Sequence, residues 1–98
     1  MVLLENMRKL TESQVTNELR KVRGWRRVGE AIERTWRFKT FMDAVAFMNR
    51  VFALAEEANH HPNLENVWAT VTIRYTTHDA GGITKKDFEM AARINKTA

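Results

Sequence analysis

The stretch Asn59-His60-His61-Pro62 closes the longest apolar segment of the chain, and the other elements can be placed outward from it. Proline disfavours the α conformation in the residue before it and cannot continue a helix, so the preceding segment must end here as a helix. His78 follows later, at the end of a run rich in Val, Ile and Tyr. Three imidazoles at the ends of elements, with carboxylates nearby, indicate a proton-transfer site.

The helix predicted over residues 41–58 has more apolar surface than one face can hold. Thr40 is its predicted N-cap, and Asp43 suits the positive end of the helix dipole. One apolar stripe comprises Phe41, Val45, Met48, Phe52 and Ala55, and further apolar residues are Met42, Ala46, Phe47, Ala53 and Leu54. A helix that covers one side of a small sheet needs a single stripe. The second set therefore predicts packing against another subunit, unless the other two helices cover it.

Upstream of this helix the sequence predicts a helix and a hairpin. Thr11-Glu12-Ser13-Gln14 has the pattern of a capping box. Three apolar residues at helical spacing follow it, and Gly24 is the predicted end of that helix. Residues 25–28 and 31–39, on either side of Gly29, form the predicted antiparallel hairpin.

Downstream of Pro62 the sequence predicts strand structure and then a last helix. Apolar and polar residues alternate over residues 67–77 with a period of two, which is typical of a half-buried strand. Nothing in this run decides between one long strand and two shorter ones. After a glycine-containing loop, Thr84-x-x-Asp87 forms a second capping box that opens the last helix.

The predicted order of elements is helix, two strands, helix, one or two strands, helix. Antiparallel strands with all the helices on one face make a two-layer α+β sandwich. The length of 98 residues fits a single domain over residues 1–98.

Composition narrows the class of protein further. The chain has no cysteine, which excludes disulfides and thiolate metal sites. No apolar run approaches the roughly 20 residues of a membrane span. Met1-Val2-Leu3-Leu4 is too short for a signal peptide. We therefore predict a cytoplasmic protein without membrane association.

The net charge of +4 leaves an anionic partner open. Basic residues cluster at Arg20, Lys21, Arg23, Arg26 and Arg27. The cluster is typical of a solvated face, and the alternatives are contacts with an anionic small substrate or with nucleic acid. No zinc-ligand spacing, RNA-binding aromatic motif or phosphate loop accompanies it, so nucleic acid is the weaker alternative.

The histidines allow more than one interpretation from the residues alone. Glu56 and His60 are four residues apart and would share a helix face, where the carboxylate could fix the imidazole tautomer. His60 could instead be a simple partner of the helix dipole, and Asp87 a plain capping residue. A zinc site of three histidines is disfavoured, because adjacent histidines seldom bind one ion. Nucleophilic catalysis is not indicated, since no cysteine or serine elbow is present.

The spacing of these residues resembles the signature of the pterin-4a-carbinolamine dehydratase family. The matching residues are Glu56, His60, His61, Pro62, Trp68, His78 and Asp87. The resemblance extends through Gly24-Trp25, residues 31–39, residues 47–51 and residues 82–87, and so over nearly the whole chain.

The resemblance implies both a fold and an activity. It implies four antiparallel strands with three helices on one face, in the order α-β-β-α-β-β-α. Oligomers would form through sheet edges and the second helix. The implied reaction is the dehydration of 4a-hydroxy-tetrahydropterin to quinonoid dihydropterin, with neither metal nor cofactor. This reaction recycles the tetrahydropterin of aromatic amino-acid hydroxylases.

The resemblance also implies the roles of individual residues. His60, His61 and His78 would carry the acid/base chemistry, with Glu56 orienting His60. The implied substrate-binding residues are Asn59, Pro62, Leu64, Trp68 and Asp87. Asn59 and Leu64 depart from the family pattern, which often has Asp and an aromatic residue there, so the strength of pterin binding is the open question.

A binding module is the rival hypothesis. Animal members of the family also bind a homeodomain transcription factor as a dimerisation cofactor. A transcriptional coactivator or nucleic-acid partner would suit the basic charge. It would not need three imidazoles at these spacings.

Overall fold

The computed structural model describes residues 8–98, so the prediction for residues 1–4 lies outside the described part of the chain. The helices are α1 (Glu12–Leu19), α2 (Phe41–Ala58) and α3 (Lys85–Thr97), and the strands are β1 (Arg26–Val28), β2 (Ala31–Arg37), β3 (Asn63–Val67) and β4 (Thr70–Tyr75). A short 3-10 turn, His78–Ala80, lies between β4 and α3. The predicted α+β order α-β-β-α-β-β-α is confirmed.

The four strands form one antiparallel sheet in the order β1-β2-β4-β3. β1 and β2 make the predicted hairpin, with Val28 opposite Ala31. β2 then pairs with β4 from Ile32 opposite Tyr75 to Arg37 opposite Thr70. Since β4 lies between β2 and β3, β3 is at the edge of the sheet. α2 connects β2 to this edge strand.

The core lies between the helices and one face of the sheet. Trp36 on β2 stacks on Phe47 of α2 with ring centroids 4.9 Å apart, and Phe38 lies 5.0 Å from the same ring. Ile73 and Tyr75 on β4 are fully buried in this layer. Apolar contacts of this kind fix which face of α2 points inward.

The rotation of α2 corrects part of the sequence prediction. Its buried residues are Ala44, Phe47, Met48, Val51 and Ala55. Phe47, expected among the outward residues, is fully buried, whereas Phe41 and Phe52 of the first stripe are exposed. Pattern alone could not choose the phase of a helix with two apolar stripes, and the aromatic cluster around Phe47 decides it. Met42 is exposed as expected, so the apolar surplus exists with different members.

The local signals at the helix starts are confirmed. Thr11 and Gln14 form the first capping box, and Thr84 and Asp87 form the second. Thr40 caps α2 by accepting a hydrogen bond from the backbone of Asp43.

The predicted end of α1 was wrong by several residues. The helix ends at Leu19, and the chain continues to Gly24 in turns. Two bonds of the i to i−3 type, from Lys21 to Glu18 and from Val22 to Leu19, replace the helical pattern there. Val22 remains buried, which explains why its spacing resembled that of a helical residue.

The alternating run after Pro62 consists of two strands. β3 begins at Asn63, four residues before the alternation, and a tight turn at Trp68 and Ala69 leads into β4. Trp68 has a φ of 50°, a left-handed conformation in which glycine or asparagine is usual. The side-chain amide of Asn66 holds the turn by donating to the carbonyl oxygens of Trp68 and Thr70. Because tryptophan is not a typical turn residue, the sequence did not predict the turn.

Candidate active site

The end of α2 turns the chain so that the two adjacent histidines diverge. Asn59 adopts the left-handed conformation, with φ 51° and ψ 43°. The backbone N–H of His60 donates to the carbonyl of Ala55 at 3.1 Å, which is the bond that closes a Schellman motif. Asparagine tolerates this conformation better than most residues, since its short polar side chain can bond locally. The motif directs His60 inward and leaves His61 exposed.

His60 is held by a buried carboxylate from the other end of the fold. Its Nε2 lies 2.6 Å from Oδ1 of Asp87, and the side chains are 11% and 0% exposed. The imidazole also packs against the ring of Tyr75, whose hydroxyl donates to the His60 carbonyl at 2.9 Å. Both the backbone and the ring of His60 are therefore fixed.

The Asp87 carboxylate is satisfied by several donors besides His60. Its Oδ2 accepts hydrogen bonds from the hydroxyl of Thr77 at 2.9 Å and from the backbone N–H of Thr84 at 2.8 Å. The hydroxyls of Thr77 and Thr84 lie 2.7 Å apart. A buried carboxylate is tolerated when it is hydrogen-bonded in this way, and the network holds Oδ1 toward His60.

Glu56 does not orient His60, contrary to the prediction. Its Oε1 lies 2.9 Å from Nε2 of His61 instead. The i to i+4 argument required the helix to continue through residue 60, but α2 ends at Ala58 and Asn59 reverses the backbone. The Glu56 and His61 side chains are 83% and 56% exposed, so water screens this pair.

His78 approaches the same place from the end of β4. It begins the 3-10 turn that follows Thr77, whose backbone bridges to Gly82. An open cavity of about 360 Å³ lies between this turn and the end of α2, a volume within the usual range for ligand sites. Its lining residues are Asn59, His60, His61, Thr76, Thr77, His78, Asp79 and Lys86. All three histidines therefore border one cavity.

Comparison with known proteins matches the chain to a family. The sequence profile of the family described as "Pterin 4 alpha carbinolamine dehydratase" matches residues 8–97. The chain belongs to this family.

Individual relatives extend the match. A protein of Prochlorococcus marinus (strain MIT 9313), whose name assigns it provisionally to the pterin-4-alpha-carbinolamine dehydratases, is 45% identical over 86 residues, which cover 88% of this chain and 90% of the relative. The crystal structure of a "transcriptional coactivator/pterin dehydratase" from Brucella melitensis is 38% identical with a TM-score of 0.89, over 92% of this chain and 98% of the other. A structure described as a pterin dehydratase-like protein and RuBisCO assembly factor in the alpha-carboxysome is 26% identical with a TM-score of 0.67, over 76% of this chain and 89% of the other.

Some of the residues predicted to bind substrate lie elsewhere in this pterin dehydratase family member. Asp87 is buried and contacts His60, Thr77 and Thr84, so it cannot touch a ligand in the cavity. Trp68 is 70% exposed at the β3–β4 turn, whereas the cavity lies beyond the other end of β4. The strand between them places Trp68 too far from the cleft of its own chain.

Asn59 is the one predicted substrate-binding residue that lines the cavity. Leu64 packs against the core, and neither Leu64 nor Pro62 is among the lining residues. Pro62 instead separates the histidine pair from β3, which begins one residue later.

Four further cavity residues were not predicted from the sequence, namely Thr76, Thr77, Asp79 and Lys86. The first three flank His78 in the sequence. Because binding residues tend to gather where helices and strands end, their position beside His78 could have identified them. Lys86 had no such signal, because its place depends on how α3 packs against the end of α2.

Burial keeps the tyrosine behind His60 in its neutral form. Desolvation raises the pKa of Tyr75 far above its usual value, and the nearby Asp87 charge adds to the effect. The hydroxyl therefore remains a donor to the His60 carbonyl over the whole working range of pH.

Two kinds of feature are absent from residues 8–98. No group of three or more His, Asp or Glu side chains there is placed to hold a metal ion. No helix in this part of the chain is both long and apolar enough to cross a membrane.

Proposed function

We propose that this protein dehydrates a 4a-hydroxy-tetrahydropterin to the quinonoid dihydropterin by histidine acid/base catalysis, and so recycles a tetrahydropterin cofactor. The observation that carries the proposal is that His60, His61 and His78 all border the same open cavity. Membership of the pterin carbinolamine dehydratase family supports the reaction class.

The reaction needs two proton transfers. The C4a–O bond breaks with its electron pair going to oxygen, and a proton delivered to that oxygen lets it leave as water. A second proton leaves a ring nitrogen, whose electrons form the new double bond. Imidazole can donate and accept protons near neutral pH, so three imidazoles supply both functions.

His60 differs from the other two histidines in that a buried carboxylate holds its ring. With Nε2 directed at the Asp87 carboxylate, Nδ1 is left to act as acceptor or donor. The carboxylate fixes the tautomer and stabilises the positive charge that the ring gains on accepting a proton. His61 and His78 are exposed at the rim, where they can exchange protons with solvent as well as with the substrate.

The test is a dehydration assay on freshly generated 4a-hydroxy-tetrahydropterin. Replacing His60, His61 or His78 with Ala should each lower turnover by roughly two to four orders of magnitude, the usual size of an acid/base contribution. Lys96→Ala, an exposed change on α3 outside the described cavities, is the control and should keep the wild-type rate. Near-wild-type rates in all three histidine variants would refute the mechanism.

The assembly belongs to the same proposal. We expect a cytoplasmic homo-oligomer that buries the exposed Phe41, Met42 and Phe52 of α2. Sedimentation at micromolar concentration should show more than one chain per particle, and Phe52→Glu should shift it toward the monomer. A stable wild-type monomer would contradict this part.

A non-catalytic binding role is the second candidate, because the Brucella melitensis relative is described as a transcriptional coactivator as well as a pterin dehydratase. The same assay separates the two candidates. A wild-type protein with no dehydration above the spontaneous rate would favour the binding role.

A further inference from the structure

A second cavity adjoins the proposed reaction site. It has a volume of about 380 Å³ and lies between the end of α2 and the exposed side of α3. His60 and Lys86 line both this cavity and the cleft of the three histidines. The two spaces are therefore neighbours on either side of these two residues.

The walls of this second cavity differ from those of the first. Ala58, Met90 and Ala92 give it a mainly apolar surface, whereas the histidine cleft is lined mostly by polar side chains. Such walls favour an apolar substituent over a hydroxylated one, since a hydroxyl without a partner there would lose its hydrogen bonds to water.

Charged groups border these apolar walls. Lys86, Glu89 and Arg93 line the cavity, and Arg93 forms an ion pair with Glu57 of α2. Lys86 lines both cavities together with His60, so it lies where the two cavities adjoin.

The chemistry of the pterin ring connects the two spaces. Its natural substituents are carried on C6, which is separated from the reacting C4a by N5 alone. A ring placed with C4a and N5 near His60 must therefore direct its substituent close to His60 as well. The second cavity, which His60 also lines, adjoins the place where a substituent leaves C6.

Resting on the proposed function, we propose that the groove formed by Ala58, Met90 and Ala92 binds the C6 substituent of the pterin substrate, and that it favours a large aryl substituent. The size of the groove, close to that of the histidine cleft, exceeds the needs of a methyl group or a short chain. Its apolar walls accommodate the aromatic ring of such a substituent.

The experiment compares the binding of two unreactive probes by titration calorimetry. 6-Methyl-7,8-dihydropterin tests the ring alone, and 7,8-dihydrofolate adds an aryl substituent with carboxylates. We expect dihydrofolate to bind at least about tenfold more tightly, which corresponds to about 1.4 kcal/mol. 6-Hydroxymethyl-7,8-dihydropterin serves as a third probe and should resemble the methyl compound.

Ala92→Trp fills the groove from the exposed side of α3 and should abolish this preference. Lys96→Trp places the same side chain one turn further along the helix, outside the described cavities, and should keep it. Ala92→Leu is a milder change that should reduce the preference in part, and thermal melting checks that each variant is folded.

The outcomes separate this inference from the proposed function. Equal binding of the methyl and aryl probes, or a preference that survives Ala92→Trp in a folded protein, would overturn the groove assignment while leaving the dehydration assay unaffected. If the wild-type protein shows no dehydration activity, the proposed function is refuted, whichever probe binds more tightly.

Discussion

His60 and His61 are adjacent in the chain, and each lies within hydrogen-bond distance of a carboxylate, yet the two pairs have different physical character. The Asp87 partner of His60 is fully buried and accepts from two further donors. The Glu56 partner of His61 is 83% exposed. Exposed ion pairs contribute about 0–1 kcal/mol, whereas breaking a buried, networked pair costs several times more. The comparison teaches that burial of the carboxylate, more than the presence of a pair, determines how firmly an imidazole is held.

The largest effect on turnover is expected for Asp87→Asn, which removes the charge of the buried carboxylate. The variant keeps the shape of the side chain but removes the charge that faces His60, so the imidazole can adopt the wrong tautomer. We expect turnover to fall by roughly two to four orders of magnitude, in the range seen for removal of acid/base function. The assay of 4a-hydroxy-tetrahydropterin dehydration measures it.

A structural role alone would not reproduce this result. If Asp87 served only to cap α3, Asp87→Asn would lower the melting temperature and leave the turnover of the folded fraction and its pH profile unchanged. Measuring the rate well below the melting temperature separates the two outcomes.

Thr77→Val tests whether the network behind Asp87 matters. The change removes the hydroxyl that donates to Oδ2 and contacts Thr84, and leaves buried acceptors with fewer partners. We expect a loss of roughly 1–3 kcal/mol in the free energy of unfolding, measured by urea denaturation.

Thr35→Val is the matched control for this change. The Thr35 hydroxyl also pairs with a threonine, Thr72, at 2.9 Å, but on the exposed side of the sheet. It should lose less than half as much free energy of unfolding. Equal losses in the two variants would show that burial of the network contributes nothing special.

Glu33→Gln extends the comparison to a buried carboxylate on β2 whose partners are arginines. Hydrogen bonds from Arg74 are the main reason that the pKa of Glu33 lies below its usual value. A carboxyl group with a lowered folded-state pKa stabilises the fold above its unfolded pKa of 4.5, and this stability is lost as the pH falls through the folded-state pKa.

The wild type should therefore exceed Glu33→Gln by roughly 1 kcal/mol in free energy of unfolding at pH 7, because Arg74 is partly exposed. The difference should vanish in acid below the folded-state pKa. Denaturation at a series of pH values measures it, and turnover at pH 7 should be unchanged. A difference that stays constant down to the lowest pH would contradict the assigned charge pairing.

The smallest effect is expected for Glu56→Gln. Because water surrounds both Glu56 and His61, the variant should change the free energy of unfolding by less than about 1 kcal/mol. Turnover should stay within a few-fold of wild type, and added salt should reduce even this difference. A loss approaching that of Asp87→Asn would reverse the comparison and make Glu56 the principal orienting carboxylate.

The sequence alone determined the features that depend on residues close together in the chain. The caps at Thr11, Thr40 and Thr84 were predicted from patterns of three or four residues, because a cap is a hydrogen bond across one turn. The first hairpin was predictable because a short turn joins its two strands, so the paired residues are close in the chain. The end of α2 before Pro62 was predictable, since proline acts on its own neighbours.

Only the tertiary structure decided which residues meet in the candidate site. Asp87 is 27 residues from His60 in sequence, and the two touch because α3 packs beside the end of α2. The left-handed Asn59 separated Glu56 from His60, which a count of residues along a helix could not foresee. The tryptophan turn at Trp68 likewise placed a predicted site residue at the opposite end of β4. The spacing of residues along the chain specifies helices and strands. The contacts between these elements depend on packing over the whole core, and the pairing of His60 with a buried carboxylate is one of these contacts.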